Sequence, residues 1–362
     1  MTKDSAFLYW LATSKVTFKK AQLLSEVCGG LEQIFYHPEE LKKANGLFNL
    51  RTIEMLKSRA DERLINNELK TIFSKNVHIV TIKDKDYPKE LIRTSDPPLI
   101  LYAKGRISAL QNKRIAVVGT RACTRAGFEN TFKITEELSR NGVSVISGMA
   151  RGIDTAALNG ALSGGTPCAA VLGCGIDIVY PNENHALYES IAKNGVVLSE
   201  YPPGTPPHSY NFPRRNRIIS GMCPGVLIAQ APVKSGSAIT MRYAVEENRD
   251  VFAVPGNINE ETSELPNLLI TEGAIPVTDA SSILDFYGWQ HEKTVNFQKN
   301  TLPELDFYEQ ALYTLLKQGE WNIDELARTA GMEISQASLA LTGLEIKGLA
   351  ERLPGNAFGL RI

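Results

Sequence analysis

The chain has 362 residues, 39 Lys and Arg against 40 Asp and Glu for a net charge of −1, and a hydrophobic fraction of 43%. That length fits two or three domains with a sizeable core, and no apolar run approaches the roughly 18 residues of a membrane span, so no membrane association is expected. Five cysteines with no C-x-x-C pair, scattered histidines and the lack of a signal-peptide cleavage pattern predict a cytoplasmic protein with reduced thiols, no metal site and no cofactor.

Residues 5 to about 75 carry apolar residues at helical spacing through "DSAFLYWLA", "KKAQLLSEV" and "NLRTIEMLKSR", broken by Gly29-Gly30, Pro38 and Asn45-Gly46. The spacing predicts a small SAM-like helical domain over 1–75. Its spacing is loosely that of helix-hairpin-helix units, but the hairpin glycines are degraded.

From 76 the texture becomes extended and proline-punctuated, in "VHIVTI" and "YPKELIRTSDPPLILYAKG". Apolar runs at "RIAVVG", "VSVIS", "CAAVLG", "GVVLSE", "GVLIAQA" and "DVFAVPG" then alternate mostly with helix-like segments such as "FENTFKITEELSRNG". Continuous Val/Ile/Ala runs between helices predict parallel strands covered on both faces, an α/β, Rossmann-like doubly wound sheet over 76–290. A polar linker is expected at 291–302. Residues 303–362 read as helix, helix-turn-helix and short hairpin, a winged-helix pattern. The second helix of that turn carries one basic residue, Lys347, between Ser335 and Lys347, which favours a protein contact over DNA reading.

Net charge hides a division along the chain. Residues 113–245 hold thirteen Lys and Arg against eight Asp and Glu, whereas 301–362 hold five against nine. A polyanion is therefore expected on the middle segment.

Ligands of doubly wound sheets bind beyond the carboxyl ends of the strands. There the sequence has "GTRACTRAG", "SGMARGID", "GCGID", "SEYPPGTPP" and "APVKSGSAIT", rich in glycine, which lets a backbone approach a ligand. The cations Arg121, Arg125, Arg151 and Lys234 sit in three of these loops, and "FPRRNRIISG" adds Arg214, Arg215 and Arg217. Glycine, cation and helix start repeated on one sheet edge form a phosphate-binding arrangement. No G-x-x-x-x-G-K-[ST] is present, and "GTRACTRAG" departs from G-x-G-x-x-G, so neither a P-loop nucleotidase nor an NAD enzyme is expected.

Asp154 reads as the N-cap of the helix "TAALNGAL", and Asp177 and Glu200 as caps or arginine partners; no Ser-His-Asp or Cys-His set assembles, so no catalytic residue is assigned. Tyr180, Tyr201, Tyr210 and Phe212 are interleaved with the basic loops, as expected where unpaired bases stack on aromatic rings. With no evident major-groove helix, sequence-independent binding of single strands is the natural expectation.

Eight ordered blocks, "VGTR", "SGMARGIDTAA", "LGCGIDIVYP", "SEYPPGTPP", "FPRRNRIISG", "KSGSAIT", "VFAVPGNI" and "NLLITEGA", together resemble the DNA-processing protein A (DprA/Smf) family. The resemblance covers nearly the whole chain. It implies a non-catalytic protein that binds and protects single-stranded DNA, loads the RecA recombinase during uptake and recombination of foreign DNA, and forms a homodimer through the Rossmann-like domain. It further implies a phosphate pocket built from Arg121, Gly148, Arg151, Gly152, Arg214, Arg215, Asn216, Lys234, Ser235, Gly236 and Ser237. Within "FPRRN", Arg214 and Arg215 are expected toward phosphate and Asn216 to hold the turn. Arg217 is as well placed to pair with Glu200 or Asp154.

Two positions depart from the family pattern: Gln230 stands where an acidic residue is common, and "ELPNLLI" lacks the glycine that often precedes its asparagine, so Asn267 receives no phosphate contact. The alternative enzyme reading, a nucleoside-monophosphate phosphoribohydrolase, needs a catalytic glutamate where this chain has Thr240, and a hydroxyl cannot replace that acid or base at neutral pH. A transcriptional regulator using the winged helix is opposed by the acidic balance of that segment.

Overall fold

The computed structural model describes residues 3–44, 46–110, 113–289, 305–317, 319–347, 349–353 and 357–360. The linker expected at 291–302 lies outside them. The chain divides into one compact unit over Met1–Gln290 and another over His291–Ile362.

The first unit opens with α1 (Lys3–Thr13), α2 (Phe18–Cys28), α3 (Leu31–Tyr36), α4 (Leu50–Arg59) and α5 (Glu62–Ser74). Their boundaries have local causes. Helix α2 stops where Gly29 turns left-handed at φ 77°, α4 starts where Asn49 accepts from the Thr52 amide at 2.8 Å, and α5 where Asp61 accepts from the Arg63 amide at 2.8 Å. Trp10 is wholly buried, and its indole donates to the Leu56 carbonyl at 3.0 Å, tying α1 to α4.

The sheet follows, with β1 (His78–Thr81), α6 (Lys89–Ile92), β2 (Ile100–Gly105), β3 (Arg114–Val118), α7 (Arg125–Arg140), β4 (Ser144–Ser147), α8 (Ile153–Gly164), β5 (Ala169–Leu172), α9 (His185–Asn194) and β6 (Val196–Ser199). It continues through α10 (Asn211–Gly221), β7 (Gly225–Ile228), α11 (Gly236–Glu246), β8 (Asp250–Ala253), α12 (Glu264–Thr271), β9 (Ile275–Pro276) and α13 (Ser281–Tyr287). The spatial order is β1-β2-β6-β5-β4-β3-β7-β8-β9, parallel from β6 to β9, with β1 and β2 antiparallel at one edge. The expected doubly wound sheet is therefore present.

Successive residues of β3 face opposite layers, as period-2 geometry requires. Ile115 and Val117 join one hydrophobic cluster, Ala116 and Val118 the other. Trp10, Leu24 and Ile65 of the N-terminal helices belong to the same cluster as Ile115 and Val117, so one continuous core joins the helical segment to a face of the sheet. Cys28, Cys168, Cys174 and Cys223 are buried and Cys123 partly so; burial pushes the Cys168 thiol up to about 12 and Cys174 up to about 11.

The chain leaves β3 outward through β4, β5 and β6, then returns to lay β7 against the other side of β3. The ends of β3 and β7 thus flank the point where the winding reverses, which is where open α/β sheets form a crevice.

The second unit contains α14 (Phe307–Leu316), β10 (Trp321–Asn322), α15 (Ile323–Ala330), α16 (Ile334–Ile346), β11 (Ala350–Leu353) and β12 (Ala357–Leu360). Asp306 and Glu309 form a reciprocal capping box on α14, and Gly331, at φ 68°, ends α15 to make the helix-turn-helix. Leu312, Leu326, Leu341 and Phe358 give it a core of its own. The antiparallel β11–β12 pair is the hairpin expected of a winged helix.

Candidate nucleic-acid interface

A cleft of about 530 Å3 opens at the β3/β7 crevice. Its lining includes Gly119, Thr120 and Arg121 from the loop after β3, Phe212, Arg215 and Asn216 from α10, and Ser235, Gly236, Ser237 and Thr240 from the start of α11. Tyr180 and Asp154 also line it. The loop after β3 is held on both sides of its Thr120 peptide. The Thr120 amide donates to the Gln230 carbonyl at 2.6 Å, and the Ile153 amide donates to the Thr120 carbonyl at 3.2 Å.

Arg121 is exposed, and its guanidinium lies 5.3 Å from the centre of the Phe212 ring. Phe212 in turn packs on Tyr180, ring centres 5.5 Å apart. The cleft wall is therefore aromatic with a cation laid over it, and the quadrupole of the ring favours that position.

The three arginines of "FPRRNRIISG" have three different fates because α10 turns them to three sides. Arg215 points into the protein and is 3% exposed. Its Nη1 donates to the Gly148 carbonyl at 2.6 Å and also to the Val171 carbonyl, while its Nε donates to Asn216 Oδ1 at 3.1 Å. Buried Asp154 provides its counter-charge; burial pushes the Asp154 carboxyl upward against the opposing pull of Arg215. Arg217 pairs with Glu200, Nη2 to Oε1 at 2.5 Å, and donates to the Asp96 carbonyl at 2.6 Å. Arg214 is about half exposed, 3.9 Å from Glu200, and lines a separate small hollow of about 150 Å3 beside Thr94 and Glu247.

Two local expectations need correction. Asn216 holds no turn: it lies within α10, and its Nδ2 donates to the Gly236 carbonyl at 3.3 Å, linking α10 to the start of α11. Asp154 is not the N-cap of α8. Gly152 takes that place, and the Asp154 carboxylate instead accepts from the Ala150 amide at 3.2 Å and faces Arg215.

The glycines of "SGMARGID" serve close packing between loops. A Cβ on Gly148 would lie 2.5 Å from Asp154 Oδ2 and 2.6 Å from Arg215 Nη1; one on Gly152, where φ is +72°, would lie 2.4 Å from the Thr120 carbonyl. Arg151 between them turns outward and clamps Glu183 with two hydrogen bonds, Nη2 to Oε2 at 2.9 Å and Nε to Oε1. That pairing holds the Glu183 carboxyl below its usual range. Lys234 is exposed and lies outside the lining. The structure thus brings Arg121, Arg215, Asn216, Ser235, Gly236 and Ser237 to one cleft and leaves Arg151, Arg214 and Lys234 outside its lining.

Among the aromatics, Tyr201 is braced inward, its hydroxyl donating to the Asn211 carbonyl at 3.2 Å. Tyr210 is 70% exposed and stacks on His208, ring centres 5.2 Å apart with an interplanar angle of 9°. His208 carries no expectation from the sequence beyond its place in "HSYNFPRR"; the turn that leads into α10, closed by the Asn211 amide donating to the His208 carbonyl at 3.0 Å, brings the two rings together. Thr120 was also missed as a lining residue. Gln230 is spent on α7, whose first residues it braces by accepting from the Thr124 amide at 3.0 Å. Asn267 makes a reciprocal pair with the Gly256 backbone at 3.0 and 3.1 Å.

Residues 78–288 match the family described as DNA recombination-mediator protein A, and residues 298–356 match the DprA winged helix domain. The chain is 37% identical over 292 residues to protein Smf of Escherichia coli, covering 79% of this chain and 78% of that one. It is 32% identical to protein Smf of Synechocystis, over 99% of this chain and 100% of that one. Among solved structures, DNA processing protein A from Streptococcus pneumoniae superposes with a TM-score of 0.68 at 35% identity, covering 79% of this chain and 98% of that one. DNA processing protein A from Helicobacter pylori, whose structure concerns its single-stranded DNA binding mode, gives a TM-score of 0.53 at 30% identity, covering 58% and 95%.

Proposed function

The chain belongs to the DNA recombination-mediator protein A family, and from that premise we propose that it is a cytoplasmic, non-catalytic, sequence-independent binder of single-stranded DNA. The observation that carries this reading is Arg121 laid over Phe212 beside the start of α11, at the crevice between β3 and β7. Phosphate meets the guanidinium and the helix terminus, while an unpaired base meets the aromatic wall. Single strands offer both groups at once; a duplex hides its π-faces.

The absence of chemistry in this reading rests on Thr240, a hydroxyl where the related phosphoribohydrolase pattern has glutamate. In the same reading the protein protects incoming strands, passes them to RecA, and works as a homodimer through the sheet domain, as the resemblance of its eight sequence blocks to the family implies.

A gel shift at low salt tests the core of the proposal. Oligo-dT is expected to bind at least tenfold more tightly than a duplex of equal length, and Arg121→Ala to weaken oligo-dT binding about tenfold, equivalent to about 1.4 kcal/mol. Arg214→Ala and Lys234→Ala should have smaller effects. Indifference to single strands, or release of free base from AMP, overturns the reading.

A further inference from the structure

The cleft is larger than a backbone phosphate requires. About 530 Å3 lies within the range of small-molecule sites, whereas a water molecule's share of liquid volume is only about 30 Å3. Helix α11 opens into it with first-turn amides that no side chain caps: Ser235 stands at the N-cap, yet its hydroxyl accepts from none of them. One turn further on, Thr240 is 1% exposed and lines the same cleft. Among the described residues, neither the Thr240 nor the Ser235 hydroxyl has a hydrogen-bond partner. A buried hydroxyl left unpaired costs its desolvation, which a ligand oxygen in the cleft would relieve.

The charge available in the cleft is limited. Arg215 is buried and committed to the Gly148 and Val171 carbonyls and to Asn216 Oδ1, so Arg121 and the amides of α11 remain for an anion. One guanidinium with one helix terminus suits one phosphate group, not a run of them. A phosphate monoester carries about −1.5 to −2 charges and three free oxygens, more than a diester brings to so compact a set of donors.

We propose that this cleft takes one whole nucleotide by its 5′-monophosphate, with phosphate at Arg121, Ser235, Thr240 and the α11 amides and the base against Phe212 and Tyr180. The chemistry is shared by a free nucleoside monophosphate and by the phosphorylated 5′ end of a strand. The inference rests on the single-strand reading for the second source and is independent of it for the first.

Competition against a labelled 5′-hydroxyl oligo-dT, read by fluorescence anisotropy on the full chain, tests it. The competitors are dTMP, thymidine and inorganic phosphate, with a 5′-phosphorylated oligo-dT compared directly against its 5′-hydroxyl form. dTMP is expected to compete at least tenfold better than thymidine or phosphate, and the phosphorylated strand to bind at least threefold more tightly than the unphosphorylated one. A positive result in one arm alone assigns the source.

Thr240→Val should weaken dTMP about fivefold and Thr240→Ser should restore it. Ser235→Ala provides a second variant if Thr240→Val lowers the melting temperature. dTMP no better than phosphate, together with no effect of 5′-phosphorylation, overturns the inference. Continued binding of oligo-dT in that case leaves the single-strand reading standing, whereas loss of all binding removes both.

Discussion

Arg215 and Arg121 face the same cleft but do different work, and their variants should separate cleanly. Arg215 is buried against Asp154 and donates to carbonyls at the ends of β4 and β5, so it holds two strand ends and a counter-charge together. Its removal strips a donor from two buried carbonyls and takes away the opposing charge near the Asp154 carboxyl, at a cost of about 3 kcal/mol. Arg215→Ala is therefore expected to lower the melting temperature by about 6 °C or more, while Arg121→Ala leaves melting unchanged and weakens DNA binding. Adding Asp154→Asn to Arg215→Ala should recover part of the loss, a coupling that a double-mutant cycle measures. The pH dependence has a definite sign. Burial already raises the Asp154 carboxyl, and without Arg215 its folded value rises further. The folded variant then takes up a proton at a higher pH than the unfolded chain, so its deficit shrinks as pH falls from 7 into the acid range through that raised value. A deficit that is absent at pH 7, or constant across that range, would show that the pair does not carry this load. "FPRRN" disclosed a cluster of cations but not their directions. Those follow from α10's helical phase against β5 and α11, which no local pattern encodes.

Strand ends and helix starts were the more legible level. Continuous apolar runs located β3 to β8, and glycine-rich loops after them marked the crevice, because parallel strands buried on both faces have few other ways to be written. What the sequence concealed is why the glycines are there: Gly148 and Gly152 keep the loop after β4 pressed against Arg215, Asp154 and the Thr120 carbonyl. The added methyl of Gly152→Ala would meet backbone and also occupy a positive φ, two penalties that side-chain motion cannot relieve. Gly148→Ala would press on the buried Asp154 carboxyl and the Arg215 guanidinium. Both variants are expected to lose at least 2 kcal/mol by urea denaturation and to lose binding along with folding. In Gly236→Ala an added Cβ meets nothing within 4 Å and the residue stands at the first turn of α11, so stability should be kept within about 0.5 kcal/mol. If Gly152→Ala proved as stable as Gly236→Ala, the fit of the β4 loop against the β3 loop would be wrong.

At the scale of the molecule, charge and division into units make one further prediction. The segment 301–362 holds five Lys and Arg against nine Asp and Glu, which leaves 34 against 31 in residues 1–300, a surplus of three. The winged helix has its own core and capped helices, so its removal need not disturb the sheet. Single-strand binding displaces about 0.7 counterions per phosphate neutralised, and the slope of log K against log salt counts those phosphates. If the contacts lie on the sheet edge, a chain ending at residue 300 should keep the full-length slope to within half a unit. Its affinity at about 0.15 M salt should equal that of the full chain or exceed it by up to about twofold, because a net negative segment has been removed and its field is largely screened beyond roughly 8 Å. Titrating both chains with the same oligo-dT between 50 and 300 mM salt makes the comparison. A slope shallower by one unit or more in the shorter chain would assign phosphate contacts to the winged helix despite its acidic balance. An unchanged slope would place the phosphate contacts outside the winged helix, whose α16 leaves Ile334 and Leu339 57% and 79% exposed.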